Sequence, residues 1–378
     1  MKITALEPFA IEVNGRNYVF CVVDTDDGIS GIGEAGIGYR AHSILGAFKH
    51  LEGQIVGQDP SRIEHLWQLM YRGGFFPGGN VVASAISAID IALWDIKGRA
   101  LGVPVYELLG GRVRERVVCY PHNRANTLDE LLESARETTA AGWKFVRWGL
   151  APREDVIEPR HAIRDGVGWV EEVRKVVGDE VELCLDVHTR LDPSFAIELA
   201  NALEPYRLFF LEDPIRSENT HSFHRLRAAT RVPLAAGEQF AGKWAFQEFV
   251  EHDLIDYARV DLCIVGGLSE ARKVAGWCET HYIRLATHNP LGPVSSAACL
   301  HLNLATSNFG VQEQPVRPGS TLTDLFPVQV EWRDGYLLPP SRPGLGIEFD
   351  REALRRAAPA QASSAPRLRR SDGSFTNW

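Results

Sequence analysis

The sequence lacks any run of about 18 apolar residues, the length that a membrane-spanning helix requires. Its six cysteines are scattered and form no C-x-x-C pair, so they are expected to be buried free thiols in a reducing compartment. The opening stretch carries Glu7 and Glu12, where a secretory signal peptide would need an unbroken apolar core. We therefore expect a cytoplasmic protein without a membrane partner.

A stripe of lysine and arginine is also missing. The 40 basic and 49 acidic side chains give a formal net charge of −9, so nucleic acid is not an expected partner. Hydrophobic residues make up 45% of the 378, which is enough to bury a large core in two domains. An acidic protein can still bind an acidic small molecule when a metal ion or a few local cations set the field of its pocket.

Residues 1–115 predict an α+β domain. Three apolar runs have the character of strands: Ile3–Val13, Tyr18–Thr25 and Ile29–Gly33. The pair Asp27-Gly28 predicts a hairpin turn between the last two strands. Ser61 and Glu64 have the spacing of a capping box at the start of a helix. A second, amphipathic helix is predicted from Ala83 to Lys97, ending near Gly98.

Residues 116–316 predict an α/β domain in the form of a (β/α) barrel. Eight apolar runs alternate with helix-like stretches: Val117–His122, Trp143–Trp148, Val181–His188, Leu208–Glu212, Leu234–Glu238, Tyr257–Asp261, Arg284–His288 and Phe309–Glu313. Residues 317–378 are irregular. Within them the Ala/Pro/Ser tract 357–366 has the composition of a flexible linker or tail.

Six of these runs end in a side chain suited to chemistry: Asp186, Glu212, Glu238, Asp261, His288 and Glu313. Successive members are about one βα unit apart, so all six are expected at the C-terminal mouth of the barrel, where barrel enzymes have their active sites. Three carboxylates on neighbouring strands would repel one another unless a cation lay between them. Mg²⁺ takes such oxygen ligands, so Asp186, Glu212 and Glu238 are the predicted metal ligands.

The remaining groups suit proton transfer. A histidine beside a carboxylate is held in one tautomer and made more basic, so His288 with Asp261 is the predicted general base. His188 lies two residues after Asp186, on the same face of the predicted strand, and is the predicted acid. Glu313 is expected to hydrogen-bond the second oxygen of a chelated substrate carboxylate.

Several polar residues have structural alternatives. Asp192 and Asp213 precede prolines, a pattern more typical of a helix N-cap than of a ligand. Three isolated histidines are expected to be structural: His161, His221 and His301. The pair His122-Asn123 ends the first barrel strand, where it either contacts the substrate or caps the next helix.

Three glycines, Gly31, Gly33 and Gly36, match the G-x-G-x-x-G spacing of a dinucleotide-binding turn. Their strand is one arm of the hairpin at Asp27-Gly28, however, and not the first strand of a βαβ unit. Glycines of a mobile loop explain the spacing equally well. A nucleotide site is therefore not predicted here.

Several segments resemble the mandelate racemase group of the enolase superfamily, and within it the sugar-acid dehydratases. GQDPSRIEHLWQLMYRGGF (57–75), SAIDIALWDIKGRALGVPVYELLGG (87–111), THNPLGPVSSAACLH (287–301) and QEQ (312–314) are similar to galactonate dehydratases. LDVHTR (185–190), LEPYRLFFLEDP (203–214) and SDGSFTNW (371–378) are equally similar to mannonate dehydratases. The resemblance covers essentially the whole chain.

This resemblance implies a modified TIM barrel with a capping domain built from the N-terminal region and the C-terminal segment, which then docks and is ordered. It also implies that the loop around residues 14–40 closes over the substrate, with Tyr39 and Arg40 as candidate contacts. Gln314, within the QEQ match, is a further candidate contact. Members of this superfamily use a Lys or His base with Mg²⁺ to stabilise an enediolate.

The chain also departs from its relatives. Many of them carry a Lys-x-Lys pair after the second barrel strand, where this sequence has Arg147-Trp148-Gly149. Arg147 stays protonated and is a poor base, but it can bind a hydroxyl or carboxylate. The Asp261–His288 pair departs from mannonate dehydratases, and His122-Asn123 departs from galactonate dehydratases.

The expected activity is dehydration of a sugar acid, an aldonate, to a 2-keto-3-deoxy sugar acid through an enediolate, with one Mg²⁺ per subunit. His288 would remove the C2 proton and His188 would protonate the departing 3-hydroxyl. Two alternatives remain: an epimerase or racemase in which His188 returns the proton to C2, and a metal-binding homologue of low activity with a regulatory role. A homo-oligomer is expected.

Overall fold

The computed structural model describes residues 1–150, 155–362 and 367–376. Its N-terminal part is an antiparallel sheet of β1 (Ile3–Val13), β2 (Arg16–Thr25) and β3 (Ser30–Ala35). The predicted hairpin at Asp27-Gly28 is confirmed, because β2 and β3 pair on either side of it and Gly28 has a φ of 78°.

Helices α1 (Ala41–Ile55), α2 (Ile63–Arg72), α3 (Asn80–Leu101) and α4 (Val105–Leu108) follow this sheet. The predicted capping box is wrong, because Arg62 precedes α2 without a side-chain cap and the backbone N–H of Ser61 binds Asp59 instead. Helix α3 also runs past Gly98 to a left-handed cap at Gly102. Gly98 is required inside the helix because a Cβ there would meet the backbone of Gly344.

The glycines near β3 serve close packing. A Cβ on Gly31 or Gly33 would overlap carbonyl oxygens of α3, and one on Gly36 would overlap Ile264 in the barrel. The strand can approach the helix this closely only without side chains in between. The G-x-G-x-x-G spacing is thus explained by contact between the N-terminal sheet, α3 and the barrel.

Eight parallel strands form the barrel: β4 (Val117–Tyr120), β5 (Phe145–Gly149), β6 (Glu182–Asp186), β7 (Phe210–Glu212), β8 (Leu234–Ala236), β9 (Tyr257–Ala258), β10 (Arg284–Thr287) and β11 (Phe309–Glu313). They alternate with α5 (Leu128–Ala140), α6 (Pro159–Val177), α7 (Pro193–Leu203), α8 (Thr220–Ala229), α9 (Gln247–Glu251), α10 (Gly267–Thr280) and α11 (Pro293–Ala305). Strands β5 to β11 pair in chain order, and β11 pairs with β4. The predicted barrel is confirmed.

The barrel closes between β4 and β5 through Asn123. Its backbone N–H donates to the carbonyl of Arg147 at 2.8 Å, and its side-chain oxygen accepts from the N–H of Arg147 at 3.2 Å. Its amide nitrogen binds Ser134 and Thr138 of α5 at 2.9 and 2.7 Å. Asn123 therefore holds the seam and the following helix together, which agrees with the structural one of the two alternatives left open for this residue.

The C-terminal segment contacts both the barrel and the N-terminal domain. Its hairpin of β12 (Trp332–Arg333) and β13 (Tyr336–Leu337) pairs antiparallel with β4. Helix α12 (Arg351–Arg356) then lies against β1, with Arg351 paired to Glu7 and Asp24. Just beyond α12, the backbone around Pro359 pairs with β1 at Ile11.

Most of the predicted flexible tail is hydrogen-bonded to the protein. Ala358 and Ala360 bond the backbone of β1, and Arg369 bonds the backbone of Asp155 and Ile157. The described residues therefore follow the docking that the resemblance implies, and not the flexibility that composition alone indicated. Residues 363–366 of the tract and the final two residues of the SDGSFTNW match lie outside the described ranges.

Two composition-based expectations can be compared with the structure. All six cysteines are buried and free, as expected. Across the described ranges, none of the helices is both long and apolar enough to cross a membrane.

Candidate active site

The strand register brings the six predicted chemical side chains to one mouth of the barrel. Asp186 and Glu212 are direct partners at the ends of β6 and β7, and a backbone bridge joins Asp261 to His288. Glu238 follows β8 after Gly237, whose φ is 128°. Glu313 is the last residue of β11. Parallel strands with shared register have adjacent C-terminal ends, so residues distant in sequence become neighbours here.

The carboxylates of Asp186 and Glu212 are bridged by Arg147. Its Nη2 atom is 2.7 Å from Oδ2 of Asp186, and its Nε atom is 3.1 Å from Oε2 of Glu212. Burial alone would raise the pKa of Asp186, but Arg147 and His188 hold it below its usual value. Arg147 thus neutralises two predicted metal ligands, and its predicted binding of a substrate hydroxyl or carboxylate stays a prediction.

The charges around Glu238 are less well balanced. Burial, together with the carboxylates of Asp213 and Glu212, raises the pKa of Glu238 well above its usual value, despite His288 nearby. Burial and the charges of Glu212 and Asp186 do the same to the pKa of Asp213. The Oε1 atom of Glu212 is buried without a well-aligned hydrogen bond, although Nη2 of Arg259 lies 2.6 Å away. This excess of buried negative charge fits a hard divalent cation.

The three ligand candidates are adjacent, but their oxygens are not drawn together on a single point. Within the described ranges, convergence of three ligand atoms within 4.8 Å occurs elsewhere, at His224, Glu248 and His252. In the barrel, Arg147 pairs with one oxygen of Asp186 and one oxygen of Glu212. The carboxylates supply the oxygen ligands that Mg²⁺ prefers, and in this structure the guanidinium of Arg147 is the positive charge bound to two of them.

His288 is held by the predicted dyad. Its Nδ1 atom is 2.7 Å from Oδ2 of Asp261, and its Nε2 atom is 3.4 Å from Glu238. Burial would lower the pKa of this imidazole, but Glu238, Glu313 and Asp261 together raise it to about 9. Asp261 is itself fixed by the backbone N–H of Cys263 at 2.7 Å. The dyad therefore orients the imidazole with its Nε2 atom toward the carboxylates.

His188 lies in a turn after strand β6, and not on the strand itself as predicted. Strand β6 ends at Asp186, and His188 and Thr189 both have left-handed backbones, with φ of 55° and 59°. Such conformations are strained for non-glycine residues and cluster at functional sites. Asp186 stabilises this turn by accepting from the N–H of His188 at 2.7 Å, while the His188 Nδ1 atom lies 2.9 Å from the same carboxylate. The imidazole thus stands beside Asp186.

Both carboxylate oxygens of Glu313 have partners within the protein. Its Oε2 atom accepts from Arg259 at 2.5 Å and from the N–H of Asn289 at 3.0 Å, while its Oε1 atom is 2.5 Å from Nε2 of His122. Burial would raise the pKa of Glu313, but Arg259, His288 and His122 hold it well below its usual value. An ionised carboxylate with occupied oxygens cannot donate to a substrate carboxylate. We therefore assign Glu313 to positioning His122 and Arg259.

Arg259 is a site residue that the sequence reasoning missed. It is fully buried at the centre of the barrel and pairs with Glu212 and Glu313. The sequence did contain an indication of this role, because Arg259 is a charged residue inside an apolar run. It also lies two positions before Asp261, which places both side chains on the same face of a strand. Full burial of an arginine requires partners such as these two carboxylates.

The other predicted substrate contacts differ in position. Gln314 is buried, and its amide nitrogen donates to the carbonyl of Val316 at 3.1 Å. Tyr39 and Arg40 are exposed in a short 3-10 turn before α1. Arg16, which the sequence analysis did not select, connects the cap to the barrel by donating to the carbonyl of Pro290, two residues after His288.

Comparison with known proteins agrees with this architecture. Residues 3–110 match the N-terminal domain model of the mandelate racemase / muconate lactonizing enzyme family, and residues 130–353 match the enolase C-terminal domain-like model. The chain is 38% identical to a D-galactonate dehydratase of Ralstonia nicotianae over 100% of both chains. It is 36% identical to a D-mannonate dehydratase of a Caulobacter species over 96% of both.

Solved structures show the same fold over nearly the full length. An enolase from Agrobacterium radiobacter with bound sodium and L-malate superposes with a TM-score of 0.94 at 30% identity, covering 100% of both chains. An enolase from Pantoea ananatis with bound D-gluconate and magnesium superposes with a TM-score of 0.93 at 32% identity, covering 100% of this chain and 99% of the other. The protein belongs to the mandelate racemase / muconate lactonizing enzyme family of the enolase superfamily.

Proposed function

We propose that this protein is a magnesium-dependent hydro-lyase that converts an aldonic sugar acid to its 2-keto-3-deoxy acid. The observation that carries the proposal is the position of two imidazoles, His188 after β6 and His288 after β10, with the carboxylates of the mouth between their strands. Dehydration requires one group to remove a proton from C2 and another to protonate the hydroxyl that leaves C3.

Asp186, Glu212 and Glu238 are the residues that would hold Mg²⁺. When bound, the ion supplies positive charge that neutralises the substrate carboxylate and the charge developing on it during proton removal. Arg147 and Arg259 position two of these carboxylates from the protein side. Both arginines are bound to acidic side chains, which orients Asp186 and Glu212, and Arg147 helps to keep Asp186 ionised.

In its neutral form, His288 removes the C2 proton through its Nε2 atom, because Asp261 occupies Nδ1 and fixes the orientation of the ring. Bound Mg²⁺ would offset the carboxylate charges that raise the pKa of this imidazole. His188 donates a proton to the 3-hydroxyl, and Asp186 supports its charged form: burial would lower the pKa of His188, but Asp186 raises it. Loss of water then leaves an enol, which tautomerises to the 2-keto-3-deoxy acid. Arg16 holds the cap against the barrel beside this mouth through its hydrogen bond to the carbonyl of Pro290.

The same pair of imidazoles also suits an epimerase, in which His188 would return a proton to C2. An aldonic-acid screen separates the two activities: purified protein is incubated with each acid and Mg²⁺, and 2-keto acids and C2 epimers are measured. Galactonate, mannonate and gluconate are the first acids to test, given the names and ligands of the relatives. We expect a keto acid from at least one, and epimers without keto acid would favour the epimerase.

Mg²⁺ removal is the matching control in this screen. Chelation should stop product formation, and added Mg²⁺ should restore it. A protein that binds Mg²⁺ but converts none of the acids would instead fit the third reading, a low-activity homologue with a regulatory role. The homo-oligomer and the cytoplasmic location remain predictions.

A further inference from the structure

A second group of potential metal ligands lies on two outer helices of the barrel. His224 on α8 has its Nε2 atom 3.1 Å from Oε1 of Glu248 on α9, and His252, just after α9, has its Nε2 atom 3.6 Å from the same oxygen. The ligand atoms of these three side chains all lie within 4.8 Å of one another. His221, one turn before His224, has its ring centroid 5.9 Å from the His224 ring.

The spacing of these side chains is fixed by the core beneath them. Phe223 and Phe249, the sequence neighbours of His224 and Glu248, are buried and pack edge to face with ring centroids 4.8 Å apart. This contact locks α8 against α9. Glu248 and His252 are four residues apart, so they share a face of their helical turn. Two of the three side chains therefore stand on a packed pair of helices, and His252 is the residue that directly follows α9.

Two imidazole nitrogens and one carboxylate oxygen are a ligand set that Zn²⁺ uses in proteins. Imidazole also suits copper and nickel, whereas Mg²⁺ prefers oxygen ligands. A structural interpretation is available for exposed His–carboxylate pairs, which contribute little and are common. His281 with Asp253 is such a pair, with 2.9 Å between Nδ1 and Oδ1. The group on α8 and α9 differs because two histidines from separate elements point at one oxygen.

We propose that His224, Glu248 and His252 bind one Zn²⁺ ion at a site separate from the Mg²⁺ ligands of the barrel mouth, and that this ion ties α8 to α9. A water molecule or His221 completes the coordination. The site adds to the proposed function without depending on it, because its residues lie on helices outside the strand ends. Zinc at this position stabilises the fold and leaves turnover of the Mg²⁺-loaded enzyme unchanged.

Zinc titration calorimetry on the full chain in excess Mg²⁺ tests the proposal. The wild-type protein should bind one more equivalent of Zn²⁺ than His224→Ala or His252→Ala, and Glu248→Gln should weaken this binding at least about tenfold, since the loss of even an outer-shell partner costs about 10–100-fold. His281→Ala is the matched control and should bind as wild type. Zinc that enters the barrel mouth contributes equally to all five proteins and cancels.

Thermal unfolding gives a second readout for variants that fold. Zn²⁺ should raise the Tm of the wild type and of His281→Ala, but not that of His224→Ala or His252→Ala. Co²⁺ as a probe should give visible absorption bands of a bound ion only in the first two proteins. Equal zinc stoichiometry, affinity and Tm shift in the wild type and His224→Ala would overturn the proposal, as would an equal loss in His281→Ala.

Discussion

Oε2 of Glu34, on strand β3 of the cap, accepts a hydrogen bond of 2.9 Å from the backbone N–H of Ser295, in the first turn of barrel helix α11. Its other oxygen accepts from the N–H of Gly292 at 2.7 Å. A carboxylate from one domain thus caps a helix of the other, and it does so while fully buried. Asp90 of α3 similarly accepts from the N–H of Ser269 in α10.

Burial raises the pKa of Glu34 from 4.5 to about 7. Between these pH values the folded state holds a proton that the unfolded state has lost. The contribution of Glu34 to the free energy of unfolding is therefore complete below pH 4.5 and is lost as the pH rises through 7. We expect the free energy of unfolding to fall by up to about 3 kcal/mol from this group. When urea unfolding is measured across this pH range, the free energy of unfolding of Glu34→Gln should not show this part of the decrease with pH. Parallel pH curves for wild type and variant would contradict the assignment.

Glu238→Gln tests the Mg²⁺ ligands. The variant keeps the size of the side chain but removes one anionic oxygen donor, so Mg²⁺ should no longer raise the Tm and turnover should be abolished. Glu248→Gln is the matched control, because it is the same substitution on the outside of the barrel and should keep the Mg²⁺ response. Normal Mg²⁺ stabilisation of Glu238→Gln would remove this residue from the ligand set.

His288→Asn tests the base. Without the imidazole nothing accepts the C2 proton, so exchange of the C2 hydrogen in D₂O and turnover should both fall by at least about 10²-fold, the typical contribution of a general base. Proton NMR of the substrate measures the exchange. Retained exchange in this variant would assign the base to another residue. Retained Mg²⁺ stabilisation would show that the site is otherwise intact.

His188→Asn separates the dehydratase from the epimerase. In a dehydratase the variant should retain C2 exchange through His288 but yield little keto acid, because the 3-hydroxyl lacks its proton donor. In an epimerase the wild type should interconvert C2 epimers without releasing keto acid, and the variant should stop doing so. Chromatography of the products distinguishes these outcomes.

The positions of the strand-end residues were predictable from the sequence, because apolar runs of similar spacing impose a common register. Their mutual contacts were less accessible. Arg147 was expected to bind a substrate group, and in the structure its partners are Asp186 and Glu212. This pairing depends on which charges are close in three dimensions, which the sequence does not show. His188 was placed on a strand, but its left-handed turn depends on a hydrogen bond to Asp186 that periodicity does not encode.

The capping prediction, and the flexibility that composition alone indicated for the tail, were wrong for a related reason. The local patterns at Ser61 and Gly98 predicted a helix cap and a helix end, but tertiary packing overrides such local preferences. At Gly98, close contact with the backbone of Gly344 requires a glycine inside a continuing α3. Composition of the 357–366 tract indicated flexibility, but its described part is bonded to β1. Backbone pairing with a distant strand leaves no signature in the composition of either segment.

The pairing of residues 358–360 with β1 also bears on how the chain folds during synthesis. Strand β1 receives this edge partner only after the barrel domain, which lies between the two in sequence, has been made. Contacts of such large sequence separation form late and slowly. The barrel strands, whose partners are mostly adjacent in sequence, can pair earlier. Until α12 docks its arginines on Glu7 and Asp24, the cap has an open edge, a surface on which nascent chains can associate.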